Sequence, residues 1–290
     1  MSQDLLQSFL FPKSSVRGVI VTLESSLQQL FAGQKYGKAQ QCLLSEFSAT
    51  CLVITSHTKL DGRISLQARA KGEAGLVLAE CTGVLDFRGV INSPDGTPQS
   101  FADIREGGLL AVTVLPREGN SYQGIVPMEK QSLAGCMEDY FLRSEQIPTC
   151  FLIFATSERV TALMLQLMPG HPDSGNPPQE EDWERIFLLA RSLTPDEALT
   201  LSHQEILYRL FHEENPRVFE PRPVHYRCSC SRERMTRNLL SLGNDELVAI
   251  AQEEEATTLE CHFCHTTYLF SRDEILLLLE NGQPGTGVVH

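Results

Sequence analysis

The sequence has few basic residues and no long hydrophobic run. It carries 24 Lys and Arg residues against 37 Asp and Glu residues, which gives its 290 residues a net charge of −13. That charge argues against nucleic acid or an anionic membrane as a partner, since both attract basic chains. No apolar stretch approaches the roughly 20 residues that a membrane span needs. The first eleven residues lack a basic region and include Asp4, so no secretory signal peptide is expected.

The short motifs of common catalytic sites are missing as well. There is no G-x-S-x-G, no H-E-x-x-H, no Walker phosphate loop and no G-x-G-x-x-G after a strand. Three acidic residues, Glu138, Asp139 and Glu145, lie on or near a predicted helix, where we expect a solvent-exposed face. The sequence therefore predicts a protein that is not an enzyme.

The nine cysteines fall into two groups, of which the first is scattered along the chain. We expect these five to be buried, reduced side chains that act as small apolar groups; they are Cys42, Cys51, Cys81, Cys136 and Cys150. An odd number of dispersed cysteines without a signal peptide is typical of a reducing compartment. The sequence therefore predicts a cytoplasmic protein.

The other four cysteines form two close pairs near the C-terminus. Cys228 and Cys230 make a C-x-C, and Cys261 and Cys264 make a C-x-x-C, with thirty residues between the pairs. Four thiolates in two pairs predict one tetrahedral Zn²⁺ site per chain. Thiols one residue apart form a strained disulfide, so the C-x-C pair is a poor structural staple and a plausible redox switch. The neighbouring histidines could replace a thiolate as ligand, although exposed turn positions fit them better; these are His262 and His265.

Such a zinc site could be a structural knuckle, a nucleic-acid-binding ribbon or the active site of an oxidoreductase. A structural knuckle would supply most of the folding energy of a module of about 65 residues, a size at which a core alone is marginal. A nucleic-acid zinc ribbon is disfavoured, because residues 225–290 hold five Arg and no Lys against ten Asp and Glu, a net charge of −5. A thiol-disulfide oxidoreductase would place its C-x-x-C at the start of a helix, whereas here the pattern predicts a hairpin tip. A structural zinc-ribbon interaction protein and an oxidoreductase therefore stay as alternatives.

Hydrophobic periodicity predicts an α+β fold in three parts. Residues 1–170 combine strand-like runs with grouped helices, as in a domain around a mostly antiparallel sheet. Residues 171–224 begin rich in Pro, Gly and acidic residues and continue as a helical linker with capping boxes at 194–197 and 202–205. Residues 225–290 form the small zinc-binding module, with helices predicted at 231–240 and from 244 to about 253, a hairpin of strands at 257–260 and 266–270, and a capping box at 271–274 that begins the last helix. The strands are predicted at 16–22, 64–70, 84–90, 109–114, 121–128, 151–155 and 162–168, and the longer helices at 39–56 and 131–143.

The cysteine pattern resembles that of a known family, the redox-regulated chaperone called the thirty-three-kilodalton heat-shock protein. The most specific matches are YRCSCSRER at 226–234 and ECHFCHTTYLF at 260–270. Weaker upstream matches extend the resemblance over nearly the whole chain; they are YQGIV at 122–126, LA at 133–134, MEDY at 137–140, SEQ at 144–146 and YRLFHEE at 208–214.

The resemblance implies a cytoplasmic, ATP-independent holdase that binds unfolded or partly folded client proteins. In that family the reduced form carries zinc on the four cysteines and is inactive. Oxidation joins near neighbours, here Cys228–Cys230 and Cys261–Cys264, after which zinc leaves and the C-terminal module and the linker unfold. The active species is a homodimer, and residues 1–170 would carry the client-binding and dimerisation surfaces.

Overall fold

Antiparallel sheets and α-helices share the chain, which confirms the predicted α+β class. The computed structural model describes residues 4–58, 60–71, 75–92, 98, 100–168 and 180–281. The chain divides into two compact units, Met1–Arg227 and Cys228–His290, called here the N-terminal unit and the C-terminal unit. Within the described ranges, no helix has both the length and the apolar character needed to cross a membrane.

Two six-stranded sheets frame the N-terminal unit. Their strands are β1 (Leu5–Phe11), β2 (Val16–Leu23), β3 (Gly62–Arg69), β4 (Leu76–Thr82), β5 (Asp86–Asn92), β6 (Leu109–Pro116), β7 (Tyr122–Pro127), β8 (Thr149–Ala155), β9 (Val160–Leu167), β10 (Arg217–Val218), β11 (Arg222–Pro223) and β12 (His225–Tyr226). Sheet A has the order β10-β1-β2-β9-β8, with β11 also paired to β1, and sheet B has the order β12-β5-β4-β3-β6-β7. All of these pairings are antiparallel except that of β12 with β5.

The helices of this unit belong to two groups. The first group is α1 (Ser25–Phe31), α2 (Lys38–His57), α3 (Phe101–Arg105) and α4 (Leu133–Tyr140), the last followed by a π-helical turn at Phe141–Glu145. The second group, which we call the linker helices, is α5 (Glu180–Arg191), α6 (Pro195–Thr200) and α7 (His203–Phe211). Residues 169–179, which hold most of the proline-rich start of the predicted linker, lie outside the described residues.

Helix α2 packs against strands of both sheets and forms the middle of the main core. Its twenty residues contain no Gly or Pro, which suits a long buried helix. Four buried hydroxyl groups donate to carbonyl oxygens four residues earlier at 2.7 to 2.8 Å; they belong to Ser45, Ser48, Thr50 and Thr55. These bonds satisfy the hydroxyls inside the helix, so that the polar residues of α2 can be buried.

The opposite face of sheet A packs against the linker helices. We call this the covered face; its buried side chains are Phe9, Phe11, Val16, Ile20, Cys150, Leu152, Leu163 and Leu165. The helices contribute the matching apolar stripes, Ile186, Ala190, Leu193, Ala198, Ile206, Leu207, Leu210 and Phe211. Sheet A is therefore buried and largely apolar on both faces, one within the main core and the other beneath the linker helices.

Both predicted capping boxes begin linker helices. Glu197 N–H donates to Thr194 Oγ1 at 3.4 Å, and Thr194 N–H donates back to the Glu197 carboxylate at 3.0 Å. The same reciprocal bonds join Ser202 and Glu205 at 3.3 and 2.8 Å. Such boxes satisfy the unpaired N–H groups of a first turn, which matters for helices as short as α6 and α7.

The sequence patterns missed five strands, which are β1, β4 and the two-residue strands β10, β11 and β12, and one predicted strand is displaced. β1 was not predicted because its apolar residues face both the main core (Leu6) and the covered face (Phe9), so alternation is lost. β4 was missed too, and the run predicted at 84–90 begins only at Asp86. The reason for the shift is a turn in which Leu85 has a φ of 67°.

The expectation of a solvent-exposed acidic face on α4 is wrong for two of its three residues. Glu138 Oε1 accepts hydrogen bonds from Phe151 N at 2.8 Å and from Arg191 Nη2 at 2.6 Å, and burial raises the pKa of this carboxyl group. The side chain of Asp139 is only 10% exposed. Glu145 is exposed as expected. Sequence spacing could not show this, because α4 is covered by elements distant in the chain.

The C-terminal unit is small and has its own core. Its elements are α8 (Arg232–Leu240), α9 (Asn244–Glu253), the hairpin strands β13 (Ala256–Glu260) and β14 (Thr267–Ser271), and α10 (Arg272–Asn281). The predicted helices, hairpin and Ser271–Glu274 capping box are all confirmed. Among the described residues, six buried side chains form this core; they are Met235, Leu239, Leu247, Ala251, Phe270 and Ile275. So few side chains give little stability without a further contribution.

We expect a chain ending at residue 175 to fold by itself, because the main core draws its buried side chains from residues before 170, with Val224 as the one exception in that cluster. Thermal unfolding followed by circular dichroism should show one cooperative transition. A non-cooperative transition would mean that the linker helices are needed to complete this core.

Candidate metal centre

The C-x-C pair lies in a short extended stretch that leads into α8. Ser231 begins the helix, since its Oγ accepts from Arg234 N at 3.3 Å. The Arg234 side chain folds back and its Nη1 donates to Ser229 O at 3.0 Å and to Ser229 Oγ at 2.6 Å. The residue between the two cysteines is thus fixed by the helix that follows.

The C-x-x-C pair lies at the tip of the β13–β14 hairpin, as predicted. Cys261 N donates to Thr266 O at 3.0 Å, and His265 N donates to Cys261 O at 2.8 Å. His265 has a φ of 56°, the left-handed conformation that lets the chain reverse within this turn. The backbone therefore turns around Cys261 and leaves both sulfurs on the same side of the structure as the C-x-C pair.

The structure brings together all four cysteines that the spacing singled out. We call them the four-cysteine cluster; the members are Cys228, Cys230, Cys261 and Cys264, and their Sγ atoms all lie within 4.8 Å of one another. The Cys228–Cys261 and Cys230–Cys264 Sγ distances are 3.7 and 3.4 Å. Sulfurs bound tetrahedrally to Zn²⁺ at about 2.3 Å are separated by about 3.8 Å. The cluster therefore has the donors and the dimensions to hold a metal ion.

Hydrogen bonding around the cluster favours thiolate. Burial raises the pKa of the Cys264 thiol, but bonds from Thr266 and from the neighbouring sulfurs outweigh it and bring the pKa to about 7. Burial raises the pKa of Cys261. Tyr268 Oη donates to Cys230 Sγ at 3.2 Å, and this bond raises the pKa of the tyrosine to about 12. A thiolate is both the metal ligand and the form that oxidants attack.

The two histidines do not join the cluster. The His265 ring is in contact with the Glu260 carboxylate, and His262 is exposed. In the part of the chain that the structure describes, the four-cysteine cluster is the one group of side chains placed to hold a metal ion. The arrangement thus agrees with the interpretation of both histidines as turn residues.

The five scattered cysteines lie elsewhere, in the N-terminal unit. Cys51, Cys81, Cys136 and Cys150 are buried and Cys42 is half-buried, and burial raises the pKa of each thiol. Neutral, buried thiols react slowly with oxidants. The predicted core role is confirmed for the four that are buried.

Sequence patterns missed the polar contacts that fasten the linker helices to the N-terminal unit. The Arg191–Glu138 ion pair joins α5 to α4 at 2.6 Å. Beneath α7, His203 Nε2 lies 2.9 Å from Thr22 Oγ1, which lies 3.0 Å from Thr161 Oγ1. Each contact joins residues far apart in sequence, and no local motif marks them.

The chain is similar to known proteins along nearly its whole length. A family model described as "Hsp33 protein" matches residues 4–271. The 33 kDa chaperonin of Ectopseudomonas mendocina is 36% identical over 279 residues, which is 95% of each chain. The 33 kDa chaperonin of Shewanella baltica is 34% identical over 288 residues, 99% of each chain. That of Pseudomonas paraeruginosa is 37% identical over 279 residues, 95% of this chain and 94% of the relative.

The fold is also similar to a solved structure. The crystal structure of the 33 kDa chaperonin from Thermotoga maritima superposes with a TM-score of 0.81 and covers 97% of this chain and 99% of its own, at 21% identity. Taken with the family model and the relatives, this confirms the resemblance found in the sequence. The chain therefore belongs to the Hsp33 family, and it is a chaperone rather than an enzyme.

Proposed function

We propose that the chain is an ATP-independent holdase whose client-binding surface is the covered face of sheet A. The observation that carries the proposal is that this face is largely apolar and, among the described residues, is covered by the linker helices, which are short and are separated from the four-cysteine cluster by only a few short strands. Exposed apolar surface binds other exposed apolar surface with little dependence on sequence, as a holdase requires.

Undocking of the linker helices would expose a substantial apolar surface on the covered face. Phe211 shows how closely it is covered, since its ring lies 5.1 Å from that of Phe11 and 6.0 Å from that of Phe9. All three side chains are 1% exposed or less. A bulky apolar side chain contributes about 1.5–3 kcal/mol when buried, so removal of the linker helices leaves a strongly adhesive surface.

The four-cysteine cluster would hold one Zn²⁺ per chain in the reduced protein. Zinc bound there would supply the folding energy of the C-terminal unit, about 10–16 kcal/mol in small zinc modules. The six buried side chains of its core could not replace that contribution. Folding of the C-terminal unit would thus depend on the four cysteines remaining as thiolates.

Oxidation would remove the thiolate ligands on which zinc binding depends. Each pair of thiols loses two electrons and two protons to one hydrogen peroxide molecule, which becomes two water molecules, and an S–S bond forms. We propose the pairs Cys228–Cys230 and Cys261–Cys264, following the family resemblance. Disulfide sulfurs are poor zinc ligands, so the C-terminal unit would lose its metal and unfold.

Unfolding would then spread back along the chain. The linker helices have 12, 6 and 9 residues, and helices of this length do not persist in water without packing. In the structure their packing partner is sheet A, so their release requires that their docking onto the N-terminal unit be marginal. We propose that the folded C-terminal unit supplies the additional stabilisation that keeps the linker helices docked.

The two alternatives predict different behaviour. A structural zinc ribbon would lose its function on oxidation, and a thiol-disulfide oxidoreductase would reduce disulfide substrates catalytically. The hairpin-tip position of the C-x-x-C pair does not favour the oxidoreductase, whose motif begins a helix.

Further parts of the proposal concern partners and compartment. As a chaperone, the chain binds unfolded client proteins. We propose that the oxidised chain is a homodimer, that residues 1–170 carry the client-binding and dimerisation surfaces, that residues 171–224 act as the releasable linker, and that the protein works in the cytoplasm. The net charge of −13 supports the expectation that it binds neither nucleic acid nor anionic membranes.

One experiment distinguishes the three hypotheses, which are the holdase, the structural zinc ribbon and the oxidoreductase. Light scattering of a heat-denatured client is recorded with reduced chain and with peroxide-treated chain, without ATP, beside an assay for reduction of a small disulfide. The proposal expects protection only after oxidation and no catalytic disulfide reduction. Catalytic turnover would support the oxidoreductase, and protection that falls on oxidation would support the structural ribbon.

Acid should loosen the linker helices, because His203 is buried against Thr22. Burial, together with the nearby Arg159 guanidinium, lowers the pKa of His203 to about 4, from an ordinary 6.5. Docking is therefore at full strength above pH 6.5 and weakens as the pH falls toward 4, by about 30-fold at pH 5. Dye binding to apolar surface of the reduced chain should rise over this range while the zinc content stays constant.

A His203→Gln chain is the matched control, since the amide can still hydrogen-bond Thr22 but does not titrate. Its dye binding should change much less between about pH 7 and pH 5. Equal pH dependence in the two chains would show that His203 is not the responsible group.

A further inference from the structure

A short segment before the four-cysteine cluster covers one edge of each large sheet. We call residues 217–227 the edge segment. Its strands β10 and β11 pair with the outer side of β1, and β12 pairs with β5. The segment ends at Arg227, directly before Cys228. Anything that unfolds the chain backward from Cys228 reaches this segment before it reaches the linker helices.

The pairing of the edge segment with β1 is incomplete. Three residues, 219–221, lie opposite only two of β1, Gln7 and Ser8, which is a β-bulge. Pro221 and Pro223 have no N–H to donate. The paired positions are Phe9 with Val218, Leu10 with Arg217, Leu5 with Pro223 and Leu6 with Arg222. The segment thus uses only part of the hydrogen-bonding capacity of the edge.

Backbone groups hold most of the segment in place. Phe219 N donates to Ser8 O at 2.9 Å and Val224 N to Asp4 O at 3.0 Å; against sheet B, His225 N donates to Leu85 O at 3.2 Å and Arg227 N to Phe87 O at 2.9 Å. Residues 217–223 are all exposed.

Side-chain contacts of the segment are few. Val224 is buried in the main core, Tyr226 packs edge-on against Phe87, and the Arg222 and Arg227 side chains bond Gly83 O and Asp86. Opposite β1, therefore, recognition depends on the backbone far more than on sequence.

We propose that the outer edge of β1, once the edge segment has left, binds an extended stretch of an unfolded client as an added strand. The inference rests on the proposed function, because it requires oxidation to release the segment. Strand addition takes its affinity from main-chain hydrogen bonds, which any unfolded chain except a proline-rich one can make. An unprotected edge is otherwise a hazard that folded proteins cover, as this chain does when reduced.

The position of β1 also links the edge to the covered face. Phe9 and Phe11 of β1 lie on that face. In a strand added beside β1, every second side chain would point to the same side of sheet A as these two rings. The edge would thus hold the client backbone, while the adjacent apolar face takes alternate side chains. This combination suits clients that share no sequence.

The test uses the full-length oxidised chain and a labelled, cysteine-free peptide of about eight alternating leucine and threonine residues, long enough to span β1. A second peptide has the same side chains but N-methylated backbone amides. Binding is followed by fluorescence anisotropy, and hydrogen exchange is measured for residues 5–10 in the reduced, oxidised and peptide-bound chain. We expect the even-numbered β1 amides, which face the edge segment, to lose protection on oxidation and regain it with the plain peptide. We expect the methylated peptide to bind about tenfold more weakly or worse.

A protein variant gives an independent check. Ser8 O faces the edge segment, so by the alternation of a strand the Ser8 N–H faces outward as well, while the bonds to β2 come from the odd-numbered residues. Ser8→Pro should remove one outward donor and weaken peptide binding, with oxidation-dependent zinc release unchanged. Ser8→Thr keeps the donor and should bind as the parent chain does.

Three results would overturn the assignment. Equal binding of both peptides would mean that backbone hydrogen bonds do not contribute, and that the peptides bind through side-chain contacts with the covered face alone. Protection of β1 regained on dimerisation without peptide would assign the edge to a second copy of the chain. If the even-numbered β1 amides stay protected after oxidation although zinc has left, the segment is not released and the edge assignment fails; light scattering of a client with the same oxidised sample then shows whether the proposed function fails as well.

Discussion

A Cys264→Ser chain should contain little zinc and have an unfolded C-terminal unit. The substitution removes one of four ligands, and Cys264 is the thiol whose pKa is lowered to about 7, so it is the member best prepared to bind as thiolate. Structural zinc contributes about 10–16 kcal/mol to modules of this size, far more than a core of six side chains supplies. Zinc per chain and hydrogen exchange of residues 228–281 measure the two effects. Under the proposed function, this chain should also protect a client without any oxidant.

The matched control is Cys42→Ser, which changes a half-buried thiol on α2 outside the four-cysteine cluster. That chain should keep one zinc ion and remain inactive when reduced. A Cys264→Ser chain with full zinc content and a protected C-terminal unit would contradict the ligand assignment. His262 or His265 would then have to supply the fourth ligand.

Phe211→Ala should make the reduced chain active while zinc is still bound. Phe211 is the last residue of α7, is fully buried and packs on Phe9 and Phe11 of the covered face. Truncation of a buried phenylalanine costs about 3–5 kcal/mol. A helix as short as α7 depends on packing for its stability, so we expect this loss to undock it from sheet A. Light scattering of a heat-denatured client should therefore show protection by the reduced, zinc-bound chain.

Tyr208→Ala is the control on the same helix, because the side chain of Tyr208 is 72% exposed. It changes helix propensity by a similar amount without removing packing on sheet A. Protection by both variants, or by neither, would indicate that docking of α7 does not regulate the client-binding surface.

Local chemistry made much of the structure predictable from the sequence. The capping boxes at Thr194, Ser202 and Ser271 depend on residues three positions apart, and each begins a helix where predicted. The four cysteines were found in the same way, because two residues on one turn can share a metal ion. The prediction needed only that the two pairs meet, and the β13–β14 hairpin brings the second pair to the first.

Nonlocal packing set the limit of prediction. β1 lacks alternation because both of its faces are buried, and Glu138 is held by Arg191, 53 positions later in the chain. The two-residue strands β10, β11 and β12 have no pattern of their own and exist only because an edge is available for pairing. These features place the linker and the edge segment, so the proposed client-binding surface could not be located from the sequence.

The most direct test of the redox switch follows zinc and protection in the same sample. Reduced, zinc-loaded chain is treated with peroxide under mild heat, and aliquots over time are assayed with a zinc indicator and by light scattering of a heat-denatured client. We expect release of one zinc ion per chain and a rise in protection with the same time course, reversed by a thiol reductant in the presence of zinc. Full release of zinc without any gain in protection would contradict the chaperone switch.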